Sequence, residues 1–404
     1  YYKPNNMISI SNLVFRMKKN AVGLATIAIL SSMVLVTLVG AASIYAGKKD
    51  YLASATPHDY SVAGNKVDLT STKKLMDDFL IKTGEQANEE VAVSYLLFGI
   101  KNQETNKLTV FTKNERKVVP KSIVLVFSQE TFKQLTGKEL NLSSNQIALY
   151  TKNKTLKTQK SLSIDGKNYQ IHRQLGDFIN KKIPNIYKII VSDYSYLVVP
   201  DIKIFESSMK GTSIAQATYV GVNVKDPTHD AKKNSDLLDQ MTDKATQQLA
   251  GQTTGVSQSY LTANSRYDAE GMVNGFVGGT FFIGIFLSII FMLGTVLVIY
   301  YKQISEGYED RERFVILQKI GLDDLQVKQT IRKQVLTVFF LPLIFAFIHL
   351  AFAYHMISLI VRIIGVLNPD LMLVVTIIVC GVFFLAYVLV FALTSRSYRR
   401  IVSM

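Results

Sequence analysis

Residues 22–46, VGLATIAILSSMVLVTLVGAASIYA, decide the fold, because the run contains no charged residue. Coiled as an α-helix it rises about 37 Å, enough to cross the roughly 30 Å hydrocarbon core of a bilayer. Lys18 and Lys19 before it and the small residues of 41–46 at its end would suit a cleaved secretory leader. The apolar part of such leaders is only about 7 to 15 residues long, so the run reads as a membrane span. Three further runs qualify by the same measure, at 272–301, 335–361 and 371–394.

The composition agrees. Of 404 residues 48% are hydrophobic, with mean hydropathy +0.20, too apolar for a soluble chain of this size. The net charge of +14, from 45 Lys and Arg against 31 Asp and Glu, would by itself suit a nucleic-acid partner. Its distribution does not. Lys3, Arg16, Lys18 and Lys19 precede the first run, Lys302 to Lys333 lie between the second and third, and Arg396, Arg399 and Arg400 follow the fourth. With four spans all three sets fall on one side, which the positive-inside rule makes the cytoplasm, and no nucleic-acid partner is expected. The single cysteine, Cys380, lies in an apolar run, which excludes a disulfide framework and a cysteine metal cluster.

The expected organisation is therefore a membrane protein of four transmembrane α-helices, one plus three, with a large extracytoplasmic α+β domain between the first and second. An amphipathic cytoplasmic helix at 1–21 leads into span 22–46, and the outer domain is 47–271. Span 272–301, a cytoplasmic segment at 302–334, span 335–361, an outer turn at 362–370, span 371–394 and a cytoplasmic tail at 395–404 complete it. Within the outer domain, Leu75, Phe79 and Leu80 behind a Thr/Ser start predict a helix at 71–82. Strands are expected at 91–100, 108–112, 123–127, 147–150, 189–199 and 219–224. Asp165-Gly166 between two short apolar stretches predicts a hairpin, and residues 230–249 predict a polar helix.

Candidate sites are few. Asn65-Lys66-Val67-Asp68 has the look of a guanine-recognition string, but no GxxxxGK[ST] loop accompanies it, so a loop with a salt bridge is expected. His58, His172 and His229 are isolated, and no metal site, cofactor or catalytic group is expected. Lys48 and Lys49, at the outer mouth of the first span, are the cations best placed for a lipid phosphate. His349 and His355 fall within the third span, where an imidazole must face the bundle interior or water; a proton relay or a hydrogen-bonded packing role both fit. In the second span Gly275, Gly279, Gly284 and Ser288 have the small-residue spacing of close helix contacts. The segment 302–334 carries seven basic and six acidic residues, weak for adsorption to an anionic leaflet. Its helical stretch, with Glu312 and Arg313 in a charged first turn, Phe314, Leu317 and Ile320 at helical spacing and Gly321 as a stop, is shaped for a groove on a cytoplasmic protein.

The string ERFVILQKIGLDD, residues 312–324, resembles the coupling segment of FtsX-like permeases, the membrane subunits of type VII ABC systems. The string SNLVFRMKKNAVGLA, residues 11–25, looks like the helix leading into their first span. The size of the outer domain and its lysine-rich character further resemble the second half of bacitracin-type, BceB-like permeases of Gram-positive bacteria, in which six spans would precede Tyr1. The resemblance implies a non-enzymatic plasma-membrane subunit driven by a separate cytoplasmic ABC ATPase, as a dimer, together with a membrane sensor histidine kinase. It also implies mechanotransmission and resistance to peptide antibiotics that act on lipid-linked cell-wall precursors. Permeases of macrolide or lipoprotein exporters, and regulators of cell-wall hydrolases, share the same layout.

Overall fold

The computed structural model describes residues 4–115, 120–184, 191, 193–250, 259–319, 324–364, 366 and 368–402. The chain divides into a membrane unit, Tyr1–Lys48 with Gly275–Met404, and a second unit, Lys49–Asn274.

The membrane unit is built from four long helices: α1 (Pro4–Ala55), α7 (Arg266–Lys319), α8 (Asp324–Ile363) and α9 (Pro369–Val402). Each contains a stretch long and apolar enough to cross a bilayer, respectively Ala21–Ala55, Arg266–Glu309, Phe339–Ile363 and Pro369–Thr394. The one-plus-three arrangement of spans around a β-rich domain is thus present. Helices apolar on all sides suit a lipid solvent. Between Val273 and Ile299 of α7 only a narrow stripe is buried, Val273, Val277, Gly284, Ser288, Thr295 and Ile299, while Phe282, Phe286 and Leu293 on other faces are more than half exposed. The third and fourth spans are tied at one end by aromatic rings. Phe339 lies 4.9 Å from Tyr387 and 4.5 Å from Phe391, and the Tyr387 hydroxyl donates to the Phe339 carbonyl at 2.9 Å.

The second unit is an α+β domain. In chain order it holds β1 (Tyr60–Asn65), α2 (Leu69–Thr83), β2 (Ala87–Glu104), β3 (Lys107–Val110), β4 (Ser122–Ser128), α3 (Gln129–Thr136), β5 (Gln146–Thr151), α4 (Lys154–Lys157), β6 (Ser161–Ile164), β7 (Lys167–Gln174), β8 (Asp193–Val199), α5 (Ile202–Ser208), β9 (Ile214–Val224), α6 (Ala231–Ala250) and β10 (Tyr260–Ser265). The sheet order is β10-β1-β9-β2-β3-β6-β7-β5-β8-β4, and β4 pairs back onto β2, so the last seven strands close into a ring. Three ring pairings are parallel: β3 with β6, β4 with β8 and β5 with β7. The long β2 belongs to both parts. Its first half pairs with β9 in the open wing, and 96–104 pair with β4 and β3 in the ring.

Strand alternation distributes the core. Leu96, Phe98 and Ile100 of β2 join Val124, Val126, Ile147, Leu149, Leu162, Ile164, Leu197 and Val199 in one buried cluster that draws on every strand of the ring, closed by Leu156 of α4 and Phe205 of α5. Val91, Val93 and Tyr95 of the same strand face a second cluster with Phe127, Tyr196 and Tyr219. In the wing, Tyr60, Val62, Val220 and Val222 bury Phe79 and Met76 of α2 and Leu238 of α6. The far edge of β10 is covered by α6, where the Thr246 hydroxyl accepts from the Leu261 amide at 3.0 Å. Covering removes the aggregation hazard of an open edge.

The hairpin at Asp165-Gly166 forms as its residues dictate, both with positive φ, 49° and 86°. The expected helices at 71–82 and 230–249 are α2 and α6. Strands β1 and β10, not anticipated, are short wing strands whose alternation is obscured by Ser, Asn, Thr and Gly. Part of the strand expected at 189–199 lies outside the described residues, which resume with Asp193.

Candidate coupling helix and intramembrane site

Glu312, Arg313, Phe314 and Leu317 are on the last turns of α7, with their side chains outside the described set; Ile320 and Gly321 lie outside the described residues altogether. Between Arg266 and Lys319 the helix is uninterrupted, so the coupling string is the end of a 54-residue helix and not a separate short one. At 1.5 Å per residue that helix is about 80 Å long, well over twice what a bilayer core requires.

Within the membrane unit α1 and α7 pair antiparallel. Lys302 lies over Gly23, Leu30 meets Gly294, and the Thr37 and Ser288 hydroxyls hydrogen-bond at 3.0 Å. A Cβ on Gly284 would fall 2.3 Å from that of Ala41, and the Tyr45 ring stacks on Phe281 at 4.5 Å. Steps up one helix are matched, to within one residue, by steps down the other. The glycine permits a backbone approach that any larger residue would block. Of the small residues picked out by spacing, Gly284 and Ser288 make this contact; a Cβ on Gly275 or Gly279 would meet nothing within 4 Å.

His349 Nδ1 is 3.1 Å from the Ser32 hydroxyl of α1, whose own bond goes to the Ala28 carbonyl at 2.7 Å. His349 also lines a cavity of about 380 Å³ between α1 and α8, with Leu24, Ala25, Ala28, Pro342 and Phe345. His355 is exposed further along α8, where its carbonyl accepts from Ser358. The two imidazoles are not brought together. Lys48 and Lys49 occupy successive positions of α1, half-buried and exposed respectively. Among the described residues no three His, Cys, Asp or Glu side chains gather as a metal site would require.

The string 65–68 proves to be a capping device. Asp68 accepts from the Ser71 amide at 2.8 Å and its hydroxyl at 2.6 Å at the start of α2, which holds its carboxyl below the usual carboxylate range.

Two groupings escaped sequence reasoning. His58 is 2% exposed and its Nδ1 is 2.8 Å from the Tyr219 hydroxyl; burial pushes the imidazole down to about 4 and the phenol up. Beside it, Arg266 at the start of α7 donates to Asp59 at 2.7 Å. Neither has a sequence signal, since the partners are brought together only by the wing of the sheet.

No family model matches the chain. Among curated proteins of Bacillus subtilis (strain 168), it is 23% identical to the ABC transporter permease protein YxdM over 357 residues, 87% of this chain and 52% of YxdM. It is 22% identical to the bacitracin export permease protein BceB over 363 residues, 87% of this chain and 51% of BceB. The chain is a relative of the BceB-like ABC transporter permeases. A third relative, the uncharacterized ABC transporter permease YvcS, is 30% identical over 121 residues, 30% of this chain and 18% of YvcS. The chain spans about half the length of YxdM and of BceB.

Proposed function

We propose that the chain is part of a membrane permease subunit of a type VII, FtsX-like ABC transporter that works by mechanotransmission. A separate cytoplasmic ABC ATPase hydrolyses ATP and engages the coupling string through Glu312, Arg313, Phe314, Leu317, Ile320 and Gly321. The basic flanks of the spans favour a cytoplasmic location for both termini of this segment and an extracytoplasmic one for the β-rich domain. The observation that carries the reading is the alignment with ABC transporter permeases over 87% of the chain. The uninterrupted run of α7 from the end of β10 to the coupling string supports it, because a stiff helix carries displacement without a channel.

The role we assign is sensing of, and resistance to, peptide antibiotics bound to lipid-linked cell-wall precursors, with a sensor histidine kinase as a further partner. What supports this is the bacitracin export activity in the name of one relative. Lys48 and Lys49 are the candidates for a lipid phosphate. The test is co-expression with the ABC ATPase. Phe314→Asp is expected to abolish stimulation of the ATPase without lowering the amount of chain in the membrane; unchanged stimulation overturns the coupling assignment.

A further inference from the structure

Within the second unit, the side chains of Asp59 and Arg266 are engaged at the junction of α1 with the sheet. Arg266 Nη1 donates to Asp59 Oδ1 at 2.7 Å, Nη2 to the Pro57 carbonyl at 2.5 Å, and Nε reaches the Thr56 carbonyl at 3.5 Å. Those carbonyls follow directly on the end of α1, where unpaired acceptors and the negative end of the helix dipole favour a cation. The Arg266 amide donates to the Asp59 carbonyl at 2.8 Å. The second carboxylate oxygen of Asp59 accepts from the Val224 amide at 3.0 Å, and the Asp59 amide donates to Asn223 Oδ1 at 3.1 Å. The Asp59 side chain is 7% exposed.

The neighbouring link is fixed as well. His58 is bonded to Tyr219 and packs where Gly221 has no side chain, since a Cβ there would lie 2.4 Å from Nδ1. On the other helix, Asp268 in the first turn of α7 accepts from the Ser265 hydroxyl at 2.7 Å and from Ser235 of α6. Residues 56–59 are therefore fastened to β9, and residues 265–268 to α6 and, through Arg266, to residues 56–59; β9 is paired with β2 from Ala87 to Phe98, the strand that continues into the ring.

We infer that the Asp59–Arg266 clip is a mechanical joint: it makes the end of α1 and the start of α7 open and move together, and delivers their displacement to β9 and β2 instead of letting residues 56–59 absorb it as a hinge. Arg266 and Asp59 are positioning residues in this account. The joint rests on the proposed coupling function only for the origin of the force; its existence does not depend on it.

The experiment is amide hydrogen exchange on the full chain in lipid nanodiscs, first without an ATPase. Local openings are read as separate exchange rates. Arg266→Ala is expected to accelerate exchange at 56–60 and at 266–269 together, by about tenfold or more, while β5 and β7 in the ring are unchanged. Arg266→Lys keeps the charge but cannot span a carboxylate and two carbonyls at once, and is expected to give the same pattern at smaller size even where Arg266→Ala fails to fold. Acceleration of only one of the two segments, or a uniform rise that includes the ring, overturns the joint. With the ABC ATPase and ATP added, both segments of the unmodified chain are expected to change protection in step. A paired response to Arg266→Ala with no response to ATP leaves the joint standing and removes the coupling function.

Discussion

Gly284→Ala tests the approach of α1 to α7 with a single methyl group. The built Cβ lies 2.3 Å from the Ala41 Cβ and 3.5 Å from the Thr37 carbonyl. Methyl carbons rest about 3.5 to 4.0 Å apart, so the helices must part locally by more than about 1 Å. One turn along, that separation stretches the Thr37–Ser288 hydrogen bond, now 3.0 Å, beyond bonding range. Overpacking costs about 1 to 3 kcal/mol and an interhelical hydrogen bond in a membrane about 0.6 kcal/mol. The gain in helix propensity on replacing glycine by alanine, about 1 kcal/mol, offsets part of this. The net expectation is a loss of about 1 to 2 kcal/mol. Gly294→Ala is the matched control, because its Cβ would meet Leu30 Cδ1 at an ordinary 3.6 Å. There only the propensity term operates, and stability is expected to rise by up to about 1 kcal/mol. Unfolding in mixed micelles, followed by far-ultraviolet circular dichroism, measures both. Equal shifts of the same sign for the two substitutions would refute the contact.

The remaining expectations concern the second unit. Because His58 is held down to about 4 from an ordinary 6.5 chiefly by burial, the unfolded chain binds its proton first as pH falls. Stability is therefore full above pH 6.5 and declines towards pH 4, by on the order of 3 kcal/mol at about 1.4 kcal/mol per pH unit. His58→Phe should flatten that slope in urea titrations run at successive pH values, and an unchanged slope places the pH dependence elsewhere. Asp68→Ala removes the cap of α2 and should cost about 1 kcal/mol by the same titration, whereas Asp68→Asn, which keeps an acceptor oxygen, should cost a few tenths. Gly166→Ala forces a side chain into a backbone with φ 86° and should lower stability by about 1 kcal/mol without moving the hairpin register, which nuclear Overhauser contacts across Ile164 and Lys167 would report.

What the amino-acid sequence by itself determined is what local chemistry forces. Uncharged runs longer than a bilayer is thick become spans, and short continuous apolar runs become buried strands, as at 123–127 and 147–150. Asp165-Gly166 turns because those two residues tolerate positive φ at little cost. The coupling string was visible as amphipathic helix, but its union with the second span was not, since Gly307 and the charges after Tyr301 look like interruptions and a helix tolerates both. Tertiary structure alone decided the rest. Spacing marked Gly275, Gly279 and Gly284 alike, and only packing against Ala41 distinguishes the last. The ring closes because β2 is long enough to serve two sheets, a property of pairing and not of composition. Asp59 and Arg266 are separated by 207 positions, and nothing in either neighbourhood announces the other. They meet because β1 and β10 pair in register and set the residue before one beside the residue after the other, and a buried carboxylate is tolerable there only with its cation in place.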